Sequence, residues 1–214
     1  MTINKTDRYK TLKLYIDDNI LPKYGDDNSG HGTGHILSVM KRSLFLVKEF
    51  NLDVDKSLVY IIAGYHDIGY KIDHENHEIV SANLFVQDKY LLSILSNGEV
   101  QLVKEAIEDH RSKKKTVPRS IYGKILCDAD RHINIDDIIV RTYKYIGKYY
   151  NPKDIEEQVD LTYNFIKNKN QDKSRVKFYL EHISDIKKQK KLLNLLDKED
   201  IFKGKIKLLN KIKN

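Results

Sequence analysis

Leu58-Val-Tyr-Ile-Ile-Ala-Gly-Tyr-His-Asp-Ile-Gly69 is an apolar run long enough for a buried helix, and near its end it sets an imidazole and a carboxylate, His66 and Asp67, side by side. At helical spacing His66 shares a stripe with Leu58 and Ile62, and Asp67 lies beside Val59 and Ala63. Burying such a pair costs free energy unless something binds it. A divalent ion suits that need, and the chain offers further ligands at a distance: His35 in Thr33-Gly-His-Ile36 and Asp130 in Cys127-Asp-Ala-Asp-Arg131. Mixed nitrogen and oxygen donors fit a hard or borderline ion. The alternative is that these are satisfied polar groups of a core.

His35 stands 31 positions before His66, and Asp67 stands 63 before Asp130. This order of His, His-Asp and Asp resembles the HD-domain superfamily of metal-dependent phosphohydrolases. The segments that carry the likeness are Gly30-His-Gly-Thr-Gly-His-Ile-Leu-Ser-Val39, His66-Asp-Ile-Gly69, His77, Asp109-His-Arg111 and Gly123-Lys-Ile-Leu-Cys-Asp-Ala-Asp-Arg131. The resemblance implies an all-α HD-domain helical bundle with a metal site between helices, and His35, His66, Asp67 and Asp130 as ligands of a divalent metal (Mn2+, Mg2+, Fe2+, Co2+ or Ni2+). It selects Asp130 over Asp128 as the ligand. It further implies attack by a metal-activated water on a phosphorylated small molecule, with Asp67, Lys71 and His77 as the catalytic candidates. His77, His110, Arg111, Lys113 and Arg131 are candidates for a second metal or for the substrate's phosphate. For His31 the expectation is an ordinary histidine in a glycine-rich turn, with an approach to substrate from just before the ligand helix as the lesser alternative.

The chain departs from several subfamilies. Ile68-Gly-Tyr70 replaces the acidic pair that alarmone hydrolases carry after His-Asp. Tyr70 precedes Lys71 where cyclic dinucleotide phosphodiesterases have lysine at once, and their Gly-Tyr-Pro element is missing. The small stand-alone bacterial type, with nucleotide pyrophosphohydrolases and nucleotidases among its members, remains the nearest match. Arg111-Ser-Lys-Lys-Lys-Thr-Val-Pro-Arg119 packs five cations into nine residues, which suits a nucleotide or another polyphosphorylated substrate, or is simply a solvated loop. Two other readings stay open: a non-catalytic nucleotide-binding HD protein, and a di-iron oxygenase of the same superfamily, which would need both His77 and His110.

Composition bounds the rest. With 214 residues the chain can bury a core as one domain; we place that core at residues 1–150 and a helical extension with a lysine-rich tail at 151–214. The net charge of +7 resides in Ile186–Asn214, because basic and acidic side chains balance before it. Leu192, Leu193, Leu195, Leu196, Ile201, Phe202, Ile206, Leu208, Leu209 and Ile212 recur there at near-helical spacing, so the tail reads as an amphipathic helix packed on the domain or on a partner, with a solvated lysine face rather than a nucleic-acid or membrane surface. A single cysteine, Cys127, and the absence of an apolar leader or a spanning segment lead us to expect a cytoplasmic protein. Periodicity places helices near 6–20, 34–50, 55–70, 76–90, 98–110, 118–130, 133–149, 153–168 and, with breaks, 173–212, with Thr33, Asp55 and Asn97 as caps, Gly69 ending the third and Pro118 in the first turn of the sixth.

Overall fold

The computed structural model describes residues 5–25, 31–111, 116–171 and 177–212, and every regular element among them is helical. The elements are α1 (Lys5–Asn19), a 3-10 turn (Leu21–Lys23), α2 (Thr33–Glu49), α3 (Lys56–Tyr65), α4 (His77–Phe85), α5 (Lys89–Ile94) and α6 (Asn97–Asp109). Then come α7 (Ile121–Asp130), α8 (Ile135–Tyr149), α9 (Ile155–Gln171), α10 (Ile183–Leu196) and α11 (Glu199–Ile212). Backbone contacts divide them into two compact units, α1–α7 ending at Arg131 and α8–α11 beginning at His132. That break lies earlier than the position 150 read from the sequence, because α8 packs on α9 and α11.

The first unit is organised around α3. Every residue from Ser57 to Tyr65 is buried, as expected of a helix that is apolar on all faces, and α1, α2, α6 and α7 all pack against it. Gly64 permits the close approach of α1, since a Cβ there would stand 2.7 Å from the Ile16 side chain. The Asp55 carboxylate caps the N-terminus by accepting from the Ser57 amide at 2.7 Å.

Several boundaries differ from expectation for local reasons. The helix read as 55–70 stops at Tyr65 and continues as successive tight turns, with Ile68 N–H donating to Tyr65 C=O and Tyr70 N–H to Asp67 C=O. The segment read as 76–90 breaks because Asp88 caps a new helix, accepting from the Leu91 amide while also accepting from the hydroxyls of Tyr15 and Tyr65. Gly32 rather than Thr33 precedes α2, Ser96 rather than Asn97 forms a capping box with Glu99, and Ser120 rather than Pro118 begins α7.

In the second unit Ile139, Val159, Tyr163, Ile166, Leu192, Leu196, Phe202 and Ile206 form one buried cluster. The lysine-rich C-terminal segment thus contributes Leu192, Leu196, Phe202 and Ile206 to a core.

Candidate metal centre

Five separate elements of the first unit deliver its histidines and aspartates to one place. His35 lies in the first turn of α2, His66 and Asp67 in the turns after α3, His77 at the start of α4, His110 at the C-cap of α6 and Asp130 at the end of α7. Three groups have donor atoms close enough to share an ion: His31, His35 and Asp67; His35, His66 and Asp130; and Asp67, His77 and His110.

Asp67 joins the groups through both of its oxygens. Its Oδ2 is 2.6 Å from His31 Nδ1, 3.3 Å from His66 Nε2 and 3.5 Å from His35 Nε2. Its Oδ1 is 3.5 Å from His77 Nε2 and 3.4 Å from His110 Nε2. Asp130 Oδ1 closes the first side, 3.2 Å from His35 Nε2 and 3.9 Å from His66 Nε2. Protein ligands sit about 2.0–2.2 Å from an ion such as zinc, which puts tetrahedral neighbours about 3.3 Å apart. Most of these separations match that spacing.

The tautomers are fixed by carbonyl groups, which can only accept. His66 Nδ1 donates to Ala63 C=O at 2.8 Å, His77 Nδ1 to His74 C=O at 3.0 Å and His110 Nδ1 to Ile107 C=O at 2.6 Å. In the neutral ring each Nε2 then carries the lone pair and faces Asp67, the arrangement that orients a metal-ligating imidazole. Among the described residues, the buried Nε2 atoms of His35 and His66 have no partner in hydrogen-bond geometry. Orphaned nitrogens of this kind fit a divalent ion.

The electrostatics agree. Burial alone would raise the pKa of Asp67, yet His66, His31 and His110 hold it well below the usual carboxylate range. Asp130 is likewise lowered against its burial, by His35 and His66. Burial pulls His35 down, but Asp130 and Asp67 outweigh it and raise the pKa to about 9. Burial lowers His77, whereas His110, also buried, is raised by Asp67. Before a metal binds, the site thus holds anionic carboxylates and at least one imidazolium.

Other sequence candidates fall outside the cluster. Lys71, a catalytic candidate, donates to Tyr24 C=O at 2.6 Å, so its ammonium is engaged there. Arg111 pairs with Glu78 and Glu75, each at 3.3 Å. Arg119 pairs with Asp109 and Glu108. Two of the five cations in the run 111–119 are therefore already matched by carboxylates, and Lys113, Lys114 and Lys115 lie outside the described residues. Arg131 is the C-cap of α7, one residue past Asp130. Asp128 is buried but joins none of the three groups. His132 belongs to the second unit, where its Nδ1 donates at 2.9 Å to the buried Asp185.

Two residues at the centre were not among the metal-ligand or catalytic candidates read from the sequence. His31, read as an ordinary histidine, meets Asp67, and Tyr70 stacks on it with ring centroids 3.7 Å apart. The four-residue interval between His31 and His35 was the available signal, but His31 precedes the helix, so periodicity did not reach it.

Comparison with known proteins agrees with this geometry. Residues 32–135 match the family model of the HD domain. An uncharacterized protein of Clostridium beijerinckii is 30% identical over 91 residues, 39% of this chain and 55% of that protein, so the match spans about half of the relative's length. A crystal structure from Lactobacillus plantarum shares the fold with a TM-score of 0.59 and 19% identity, covering 92% of this chain and 96% of the other. A structure from an uncultured Thermotogales bacterium, named a predicted HD superfamily hydrolase, has 22% identity and a TM-score of 0.49 over 79% of this chain and 96% of its own. The segment from residue 32 to 135, just under half of the chain, thus matches the HD domain, and His35, His66, Asp67 and Asp130 all lie within it.

Proposed function

We propose that the protein is a metal-dependent phosphohydrolase acting on a phosphorylated small molecule, with a nucleotide as the leading substrate class. His35, His66, Asp67 and Asp130 would hold one divalent ion, and Asp67, His77 and His110 a second ion or a phosphate. The observation that carries this reading is the two-sided use of Asp67, whose Oδ2 faces His35 and His66 and whose Oδ1 faces His77 and His110.

A bound divalent ion supplies a Lewis acid for the phosphoryl group and lowers the pKa of water. The chain's own residues do the remainder. Carbonyl groups at Ala63, His74 and Ile107 keep three imidazoles oriented with Nε2 toward Asp67. Where no second ion sits at Oδ1, His77, kept neutral by burial, can accept a proton at Nε2. His110, raised by Asp67, favours the imidazolium and can face a phosphate oxygen. Tyr70, stacked on His31 at the same site, offers an aromatic face to the substrate.

The test is metal analysis of the purified protein, followed by incubation with Mn2+ and a panel of nucleoside mono-, di- and triphosphates and simple monoesters. Release of phosphate or pyrophosphate that EDTA abolishes and Mn2+ restores supports the reading. Nucleotide binding without turnover would instead establish a non-catalytic binding protein. The meeting of His77 and His110 at Asp67 also supplies the set a di-iron oxygenase requires, so an absorption spectrum of coupled iron without phosphate release would favour that activity.

A further inference from the structure

We infer that Arg111 and Glu78 are positioning residues, a clamp that sets the separation of His77 and His110 and so the affinity of the Asp67–His77–His110 position for an ion. The inference rests on the reading of that position given above.

Glu78 directly follows His77 in the first turn of α4, and Arg111 directly follows His110 beyond the end of α6. The guanidinium spans both carboxylates, Nη1 to Glu78 Oε2 at 3.3 Å and Nη2 to Glu75 Oε2 at 3.3 Å. Glu75 is open to solvent, so its pairing is screened. Glu78 is different: it is 5% exposed, and a carboxylate so buried calls for a cation. The pair therefore joins the ends of two packed helices at the positions next to the two imidazoles. Those imidazoles approach the same oxygen of Asp67 at 3.5 and 3.4 Å, with ring centroids 5.2 Å apart. A shift of either helix end would move one Nε2 while the other stayed on Asp67. Both terminal nitrogens of Arg111 already face carboxylates, which argues for this role over a contact with substrate phosphate.

The experiment titrates Mn2+ into the full-length protein and the variants Glu78→Gln, Arg111→Met and the double, reading free Mn2+ by electron paramagnetic resonance alongside kcat and KM. Two ions should bind the wild type. Each single variant should weaken the second ion by roughly 10–100-fold and leave the first within about threefold, with kcat reduced and KM little changed. The double should lose no more than the worse single, since the two residues act as one unit. It leaves no lone buried charge, so it also serves if a single variant fails to fold. A raised KM in Arg111→Met, with Glu78→Gln unaffected, would overturn the clamp in favour of a phosphate contact. Two ions of unchanged affinity in folded variants would overturn it as well. A single ion in the wild type would overturn the reading of the second position itself, and the clamp with it.

Discussion

Asp67 and His110 meet at 3.4 Å on the carboxylate oxygen opposite the one that faces His66, at 3.3 Å. One carboxylate is therefore common to both halves of the centre. Asp67→Asn, which keeps the shape and removes the charge, should lower metal retention more than tenfold and abolish hydrolysis while the helical circular dichroism persists. Metal analysis and a turnover assay check this together, and full activity in the variant would exclude Asp67 as a ligand.

The pH dependence follows from His35, whose pKa is raised to about 9. An ion must displace that proton, so apparent affinity should rise by up to about tenfold per pH unit and flatten above about pH 9. The sign reverses for the stability of the metal-free protein. A histidine raised above its unfolded value of 6.5 contributes fully below pH 6.5, and the contribution is lost as the pH rises through about 9. Thermal melts in EDTA should show Tm falling across that window, and added Mn2+ should remove the fall.

Gly69 sets α4 against the turn that carries Asp67. A Cβ there would lie 2.8 Å from the Ser81 amide nitrogen and 2.9 Å from the His77 carbonyl oxygen, both backbone atoms. Gly69→Ala must therefore push α4 outward and carry His77 with it. We expect about 1–3 kcal/mol of destabilisation in urea unfolding and a weaker second ion in Mn2+ titration. Wild-type values for both would show that α4 adjusts freely.

Lys71 is held by the Tyr24 carbonyl, whereas Tyr70 stacks on His31 within the centre. Lys71→Met should accordingly leave kcat within about threefold, less than about 1 kcal/mol of barrier, and Tyr70→Ala should raise KM. Steady-state kinetics of the two variants decide the order, and a larger loss for Lys71 would restore it to the catalytic set.

Phe202 is fully buried against Tyr163 in the second unit, with ring centroids 5.9 Å apart. Phe202→Ala should cost about 3–5 kcal/mol in chemical denaturation. Exposed Ile201, beside it on α11, should tolerate alanine within about 0.5 kcal/mol.

The sequence by itself determined the helical class and the position of most helices, because apolar periodicity is a local property of a chain; motif order singled out His35, His66, Asp67 and Asp130 as candidates, and the fold brings their donor atoms near one another. Its reading of 186–214 as an amphipathic segment matched at Leu192, Leu196, Phe202 and Ile206 but not at Ile201 and Leu208, which are exposed, and the core was visible only once α8 and α9 were in place. Tertiary structure alone decided the rest. His31 joins Asp67 from outside any helix, Lys71 turns to Tyr24, and Arg111 and Arg119 are taken by carboxylates from elsewhere in the chain. A cation's partner is whichever carboxylate the fold brings within a few ångströms, and that distance depends on how helices pack rather than on the spacing of residues along one of them.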